Sequence, residues 1–245
     1  MTPAVSLSNI SFSYKAQGKV TVSGINLSVA QGERFGLFGP NGAGKTTLMG
    51  IMTGLLHPQE GEISLMGIEP GNKNEFKKLF GYVPQDFAFY PELNPIENLE
   101  FFGAWSGLDK AEIRDQIEML LTIFGLQEVR KRAVKKFSGG MKRRVNIAIG
   151  VMHKPKILFL DEPTVGVDVQ TRHAIIDYLK QLNKQGTTLI YTSHHLKEAE
   201  DLCERIALMD AGKIIAHDNI NRLLTEKENN LEDLFLKLTG KDYRD

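Results

Sequence analysis

The segment Gly39-Pro40-Asn41-Gly42-Ala43-Gly44-Lys45-Thr46 constrains this chain more than any other, because it fits the pattern G-x-x-x-x-G-K-[ST]. An apolar run, Phe35, Leu37 and Phe38, leads into it as a strand does, and Thr47, Leu48 and Met49 follow as a helix that starts near Lys45. A strand, a glycine-rich loop and a helix in this order are built to hold phosphate. Gly42 and Gly44 lack a Cβ, so the loop can curl and aim its backbone N–H groups inward at phosphate oxygens. The helix start adds the positive end of its dipole. Lys45 is then placed to reach the β- and γ-phosphates, and the Thr46 hydroxyl to ligate Mg²⁺. With Pro40, Asn41, Ala43 and Thr47 completing the cradle, the implied ligand is a nucleoside triphosphate.

A chain of 245 residues accommodates one large α/β domain or a domain with a subdomain, and 42% apolar residues suffice for its core. The formal net charge of +0 favours neither nucleic acid nor anionic lipid. A single cysteine, Cys203, excludes an intramolecular disulfide and fits a reducing compartment. No apolar run approaches the ~20 residues that span a bilayer. Met1-Thr2-Pro3-Ala4-Val5 lacks the basic start and long apolar stretch of a signal peptide, so the expected location is cytoplasmic.

Along the chain, Leu7 to Tyr14 and Val20 to Val29 alternate apolar and polar residues as half-buried antiparallel strands do, and Glu62 to Met66 reads as another strand. Asn94-Pro95-Ile96-Glu97 is a capped helix start. Asp109 opens a further helix, with Ile113, Ile117, Leu120, Leu121 and Phe124 on one stripe. The apolar run Ile157 to Leu160 reads as a strand buried on both faces and ends in Asp161-Glu162-Pro163. A helix with Ile175, Ile176, Leu179 and Leu182 on one face follows, then a strand over Thr187 to Thr192, a helix over Lys197 to Cys203 and a hairpin about Ala211-Gly212. The expected fold is α/β: a P-loop NTPase core with a mixed sheet, an N-terminal antiparallel β subdomain and an inserted α-helical subdomain. In residue terms it is a single domain, 1–245, with the core over 1–90 and 155–218, the helical subdomain over 91–154 and a helical tail over 219–245.

The later motifs narrow the class. Phe137-Ser138-Gly139-Gly140-Met141 precedes the strand that ends in Asp161-Glu162, and with Tyr14, the phosphate loop, Gln85, Asp168 and His194 the order resembles the ATP-binding cassette (ABC) family over nearly the whole chain. Met141 stands where that family usually has Gln. Ser138 to Arg144, together with the closing Asn230 to Gly240, looks most like the ATPase subunits of exporters that carry drugs, polysaccharides or similar cargo. The resemblance implies ATP and Mg²⁺ as cofactors and a second ATPase subunit as partner, expected to be a homodimer. It also implies integral membrane permease subunits that hold the chain at the cytoplasmic face. No nucleic-acid partner is expected; a soluble ABC-type ATPase acting on DNA or ribosomes is the alternative.

Asp161, at a strand end, is placed to hold Mg²⁺, and Glu162 is the candidate general base for the attacking water. Two adjacent carboxylates repel, so at least one pKa should rise. By resemblance, His194 (in His194, Glu198, Ala199) contacts the γ-phosphate, Gln85 touches Mg²⁺ and the attacking water, and Tyr14 stacks on adenine. Ser138, Gly139 and Gly140 open a helix and form a second anion site, which in the family serves the ATP held by the other subunit. Asp168 aligns with the loop that crosses between the two sites. Arg130 to Arg144 holds eight Lys or Arg and no acid, and reads as a solvated face partly drawn to the ATP phosphates. Phe87, Phe89, Tyr90 and Leu93 are either subdomain core or an apolar groove for a membrane partner's helix.

Overall fold

The structure, a computed structural model, describes residues 2–14, 20–224 and 230–240. Parts of the expected N-terminal region (1 and 15–19) and helical tail (225–229 and 241–245) lie outside the described residues. The order is β1 (Val5–Ser13), β2 (Val20–Val29), β3 (Arg34–Phe38), α1 (Lys45–Met52), β4 (Glu60–Leu65), α2 (Lys73–Lys78) and β5 (Phe80–Val83). Next come α3 (Pro95–Trp105), α4 (Lys110–Ile123), two 3-10 turns (Gln127–Val129 and Val134–Lys136) and α5 (Gly139–Val151). The chain then runs through β6 (Ile157–Asp161), α6 (Val169–Lys184), β7 (Thr188–Ser193), α7 (Leu196–Leu202), β8 (Arg205–Asp210), β9 (Lys213–Asn219), α8 (Ile220–Leu223) and α9 (Leu231–Thr239).

Two sheets organise these elements. A three-stranded antiparallel sheet has the order β2-β1-β4. A six-stranded sheet has the order β5-β6-β7-β3-β8-β9, parallel from β5 through β8 and closed by antiparallel β9. The expected α/β fold with a mixed sheet and an antiparallel part is therefore observed.

The large sheet separates two cores, and its strands feed both by alternation. Leu158, Leu160, Leu189, Tyr191, Ile206 and Leu208 face the helices α3 to α7 and α9. Ile157, Phe159, Ile190, Ala207 and Met209 face α1 and the small sheet. Because α1 is enclosed between the two sheets, Lys45 and nearly every residue after it to Met52 are buried. Phosphate-loop geometry is thus set by rigid neighbours on both sides.

Local chemistry explains the helix starts. Asn94 and Asp109 each form a reciprocal capping box, with Glu97 and Glu112, which satisfies N–H groups that a helix start leaves bare. Such a cap contributes about 1 kcal/mol. Helix α2 and strand β5 are absent from the sequence reading. Strand β5 has four residues, one of them Gly81, so its period is too short to register. Its place is decided by packing: a Cβ on Gly81 would collide with the carbonyl oxygen of Gly150 in α5, and one on Gly150 would collide with Val83. Strand β5 and helix α5 therefore touch backbone to backbone. Gly81→Ala should push them apart, costing ~1–3 kcal/mol, the usual range for overpacking. Urea unfolding monitored by far-UV circular dichroism reads this as a lower midpoint; an unchanged midpoint would show that the approach is not tight.

Candidate active site

In an open parallel sheet, ligands bind beyond the carboxyl ends of the strands. Strand order decides which side chains meet there. Because β6 lies between β5 and β7, Glu162, just past the end of β6, is flanked by Gln85 after β5 and His194 after β7. The phosphate loop follows β3, the next strand beyond β7.

Glu162 is the centre. Its Oε2 accepts from Gln85 Nε2 at 3.3 Å and lies 3.1 Å from His194 Nδ1, while its Oε1 is 3.8 Å from Lys45 Nζ. The side chain is buried, and the residue has φ of 48°, a left-handed conformation rare for a residue with a Cβ. Two bonds hold it there: its N–H reaches Thr192 O at 3.2 Å and Thr192 Oγ1 at 3.1 Å. His195 stands apart from the carboxylate, half-buried at the start of α7, its ring 4.1 Å from that of His194.

Lys45 Nζ donates to the loop carbonyls of Gly39 (2.7 Å) and Pro40 (3.2 Å). Burial pulls its pKa below the ordinary lysine value, against the opposing pull of Glu162 and Asp161. Within the loop, Ala43 N–H bonds to Pro40 O at 3.1 Å, Gly212 N–H bonds to Ala43 O at 3.1 Å, and Asn41 and Gly42 are exposed. Gly44 has φ of 102° and sits where a Cβ would come within 2.9 Å of Thr21 O, so this position excludes every other residue.

Asp161 is fully buried. Its Oδ1 accepts from Thr192 Oγ1 at 2.6 Å, and the nearby Thr46 hydroxyl favours the charged form of the same carboxylate. Oδ2 is buried with no hydrogen-bond partner. Burial is the largest force raising its pKa, and repulsion from Glu162 adds to it. The expected rise is therefore present, though desolvation more than carboxylate repulsion causes it. An orphaned carboxylate oxygen beside an exposed hydroxyl suits a divalent cation. Among the described residues no group of three His, Cys, Asp or Glu side chains could hold a metal ion. A cation here must share its ligands with phosphate and water, as Mg²⁺ does.

Tyr14 lies at the rim with its ring partly exposed, packed edge-on against Phe12 at 5.0 Å, and its hydroxyl is 3.4 Å from that of Thr47 in α1. Ser138, Gly139, Gly140 and Asp168 form a second group. Ser138 Oγ caps α5, accepting from Met141 N–H at 3.3 Å, and Asp168 caps α6, accepting from Thr171 N–H and Oγ1, each at 2.8 Å. A Cβ on Gly140 would lie 3.4 Å from Thr171 Oγ1 and 3.6 Å from Asp168 Oδ2, so the two helix starts adjoin. Ser138 and Gly139 are exposed.

The reading of Arg130 to Arg144 as a solvated face holds for Lys131, Arg132, Lys135 and Lys136, which are exposed, and needs correction for Arg143. Arg143 is buried and donates to Pro84 O (3.2 Å) and Gln85 O (2.9 Å), with its guanidinium over the Phe87 ring. Asn146, one turn on, donates to Pro84 O at 3.2 Å and accepts from Ala88 N–H at 3.0 Å. Together they fasten the Gln85 segment to α5. Arg144 bonds to Phe124 O at 2.7 Å, and Arg130 pairs with Glu118. The aromatic run divides: Phe89 packs on the core, whereas Phe87 and Tyr90 are exposed. Sequence reasoning also missed Thr192, which holds Asp161 and Glu162 together. A strand-end Thr carries no signal for that task, since its partners come from the neighbouring strand.

The family described as ABC transporter matches residues 22–165. The linearmycin resistance ATP-binding protein LnrL of Bacillus subtilis is 47% identical over 204 residues, 82% of this chain and 66% of that protein. The Nod factor export ATP-binding protein I of Ralstonia nicotianae is 37% identical over 227 residues, 92% of this chain and 70% of that protein. The matched region thus spans about two thirds of the length of these relatives. Among solved structures, an ATP-binding subunit of an ABC transporter superposes with a TM-score of 0.88 at 28% identity, covering 96% of this chain and 99% of that one. A dimeric ATP-binding cassette in a post-hydrolysis state, bound to ADP and Pi, superposes with a TM-score of 0.80 at 28% identity, covering 88% and 98%.

The burial of Asp161 has a measurable cost. Its folded pKa is raised, so the folded state carries the penalty wherever the group is ionised and is relieved of it as pH falls through that raised value. Asp161→Asn removes the charge. With nucleotide and divalent cations absent, the variant should melt a few degrees above the wild type near pH ~7, at about 2–4 °C per kcal/mol for a chain of this size. The gap should close toward pH ~4, near the ordinary carboxylate value. A gap independent of pH would assign the difference to packing instead.

Proposed function

The chain belongs to the ABC transporter family, and on that footing we propose that it is the ATP-binding and hydrolysing subunit of an exporter, working as a dimer against separate membrane-spanning subunits. One observation carries the hydrolytic reading: Gln85, His194 and Lys45, from three segments, converge on Glu162 beside the unpaired oxygen of Asp161.

The roles follow from these positions. The N–H groups of Gly42, Gly44, Lys45 and Thr46 and the Lys45 ammonium hold the phosphates, and the exposed ring of Tyr14 offers a stacking surface to adenine. Thr46, Asp161 and Gln85 would hold Mg²⁺, which when bound supplies charge stabilisation at the phosphoryl oxygens. Glu162 Oε2 takes the proton of the attacking water, and Gln85 and His194, which already touch that oxygen, orient the water. Ser138 and Gly139, exposed on one copy, and the half-buried Gly140 close over the ATP of a second copy. Asp168, beside them, lines the crossing between the two sites.

Export as the direction rests on the Nod factor export relative. LnrL, a resistance protein, fits the same direction. Neither relative is described as acting on DNA or ribosomes. Among the described residues no helix is long and apolar enough to cross a membrane, so attachment to the cytoplasmic face would run through the permease. A cavity of ≈ 860 Å³ between α2, β5, α3 and α5 is the proposed seat of the permease segment. Lys73, Lys77, Lys78, Tyr82, Phe102 and Trp105 line it, and it adjoins the Gln85 segment through Ala88 and Asn146.

Glu162→Gln should keep ATP binding, lower turnover at least ~100-fold as loss of a general base does, and accumulate a dimer on size exclusion with Mg²⁺ and ATP. Unchanged hydrolysis would remove Glu162 from that role. Sharing of sites is tested by mixing Ser138→Arg chains with Lys45→Ala chains, each inactive alone. Mixed dimers hold one site damaged twice and one intact, so up to about half the wild-type rate per mixed dimer should return if the sites act independently. No recovery would count against the head-to-tail arrangement.

A further inference from the structure

The chain holds a second buried polar cluster, behind the catalytic carboxylate, built on Glu198, a residue of the His194 motif to which no role has been given so far. Glu198, in the first turn of α7, is buried, and so are its partners Thr164 and Tyr191. Thr164 Oγ1 lies 2.9 Å from each Glu198 carboxylate oxygen. Tyr191 Oη donates to Glu198 Oε2 at 2.7 Å, and the two hydroxyls are 3.0 Å apart. Arg172 Nε, from α6, is 3.4 Å from Glu198 Oε1.

These partners belong to the two segments that build the active site. Thr164 lies two residues after Glu162, in a turn closed by Val165 N–H to Glu162 O at 3.3 Å and Val167 N–H to Thr164 O at 3.4 Å. That turn runs into Asp168 and helix α6, which carries Arg172. Tyr191 and Glu198 bracket His194, so their bond closes a short loop with the imidazole at its crest. One carboxylate therefore ties the strand-to-helix turn carrying Glu162 to the strand-to-helix turn carrying His194. A buried carboxylate needs donors and a counter-charge to persist; here both hydroxyls are the donors and the Arg172 guanidinium is the neighbouring charge.

We propose that Glu198 is a positioning residue for ATP hydrolysis: its carboxylate, through Thr164 and Tyr191, holds Glu162 and His194 in mutual register. The proposal rests on the hydrolytic reading of the site. Glu198 touches neither Glu162 nor the phosphate loop, so it acts on geometry alone. Burial and the neighbouring Glu198 charge both raise the Tyr191 pKa, which keeps its hydroxyl protonated as the donor the clamp requires.

The experiment uses the full chain with two nearly isosteric variants. Glu198→Met keeps the length of the side chain and removes both acceptor oxygens, so both hydroxyls lose this partner. Thr164→Val removes the other end of the clamp. Each should lower kcat about 10-fold, a modest displacement of reacting groups being enough for that. KM for ATP should stay within about twofold, because the phosphate loop is untouched. The double variant should be no slower than the worse single one, since both break the same link. The imidazole chemical shifts of His194, assigned against His194→Gln, should move in both single variants without nucleotide. Unchanged kcat in both, multiplicative losses in the double variant, or fixed His194 resonances would overturn the clamp. A wild-type chain that turned over no ATP would instead overturn the hydrolytic reading, with the His194 shifts still deciding whether the clamp exists.

Discussion

Lys45, Asp161 and Glu162 are buried together at or beyond the carboxyl ends of β3 and β6, on either side of β7, and the rest of the structure has to accommodate that burial. Taking three charges out of water is costly unless each finds partners. Two loop carbonyls hold the lysine, Thr192 holds Asp161 by one oxygen, and Gln85, His194 and Lys45 surround Glu162. The balance is incomplete: Asp161 Oδ2 is left without a partner and Glu162 sits in a left-handed backbone well. Such residual cost at one spot is characteristic of a site shaped for a ligand rather than for stability.

Sheet order makes the arrangement possible. Each strand end supplies one piece, and the order β5-β6-β7-β3 sets Gln85, Asp161 with Glu162, His194 and the phosphate loop side by side. A different order with the same strands would scatter them. The two cores on either face hold the strand ends rigid, which a geometry good to a fraction of an ångström demands.

Helix α5 joins this centre to the second group. Its first turn presents Ser138, Gly139 and Gly140, while Arg143 and Asn146, one to two turns later, grip the backbone of Pro84, Gln85 and Ala88. The close backbone contact of Gly150 with β5 secures the far end of the same helix. A shift of Gln85 on meeting ligand would therefore be felt along α5 and in the cavity beside it, so the site and the proposed permease seat share one mechanical element.

Much of this was legible in the residues themselves. The loop Gly39 to Thr46, the capping residues Asn94, Asp109 and Ser138, and the alternation of Val20 to Val29 each act over a few neighbours, so spacing alone revealed them. Asp161-Glu162 after a run of apolar residues was recognisable for the same reason. Long-range packing decided the rest. Arg143 read as a surface charge because its carbonyl partners lie 58 and 59 positions away. Strand β5 escaped notice because its pairing with β6 and its fit against Gly150, both long-range, make it a strand in that place. Thr164, Tyr191 and Glu198 carry no shared pattern, since their meeting is a product of how β6, β7 and α7 stack. Local chemistry written in the chain chose the groups that act; the order of strands, which no single segment encodes, chose which of them touch.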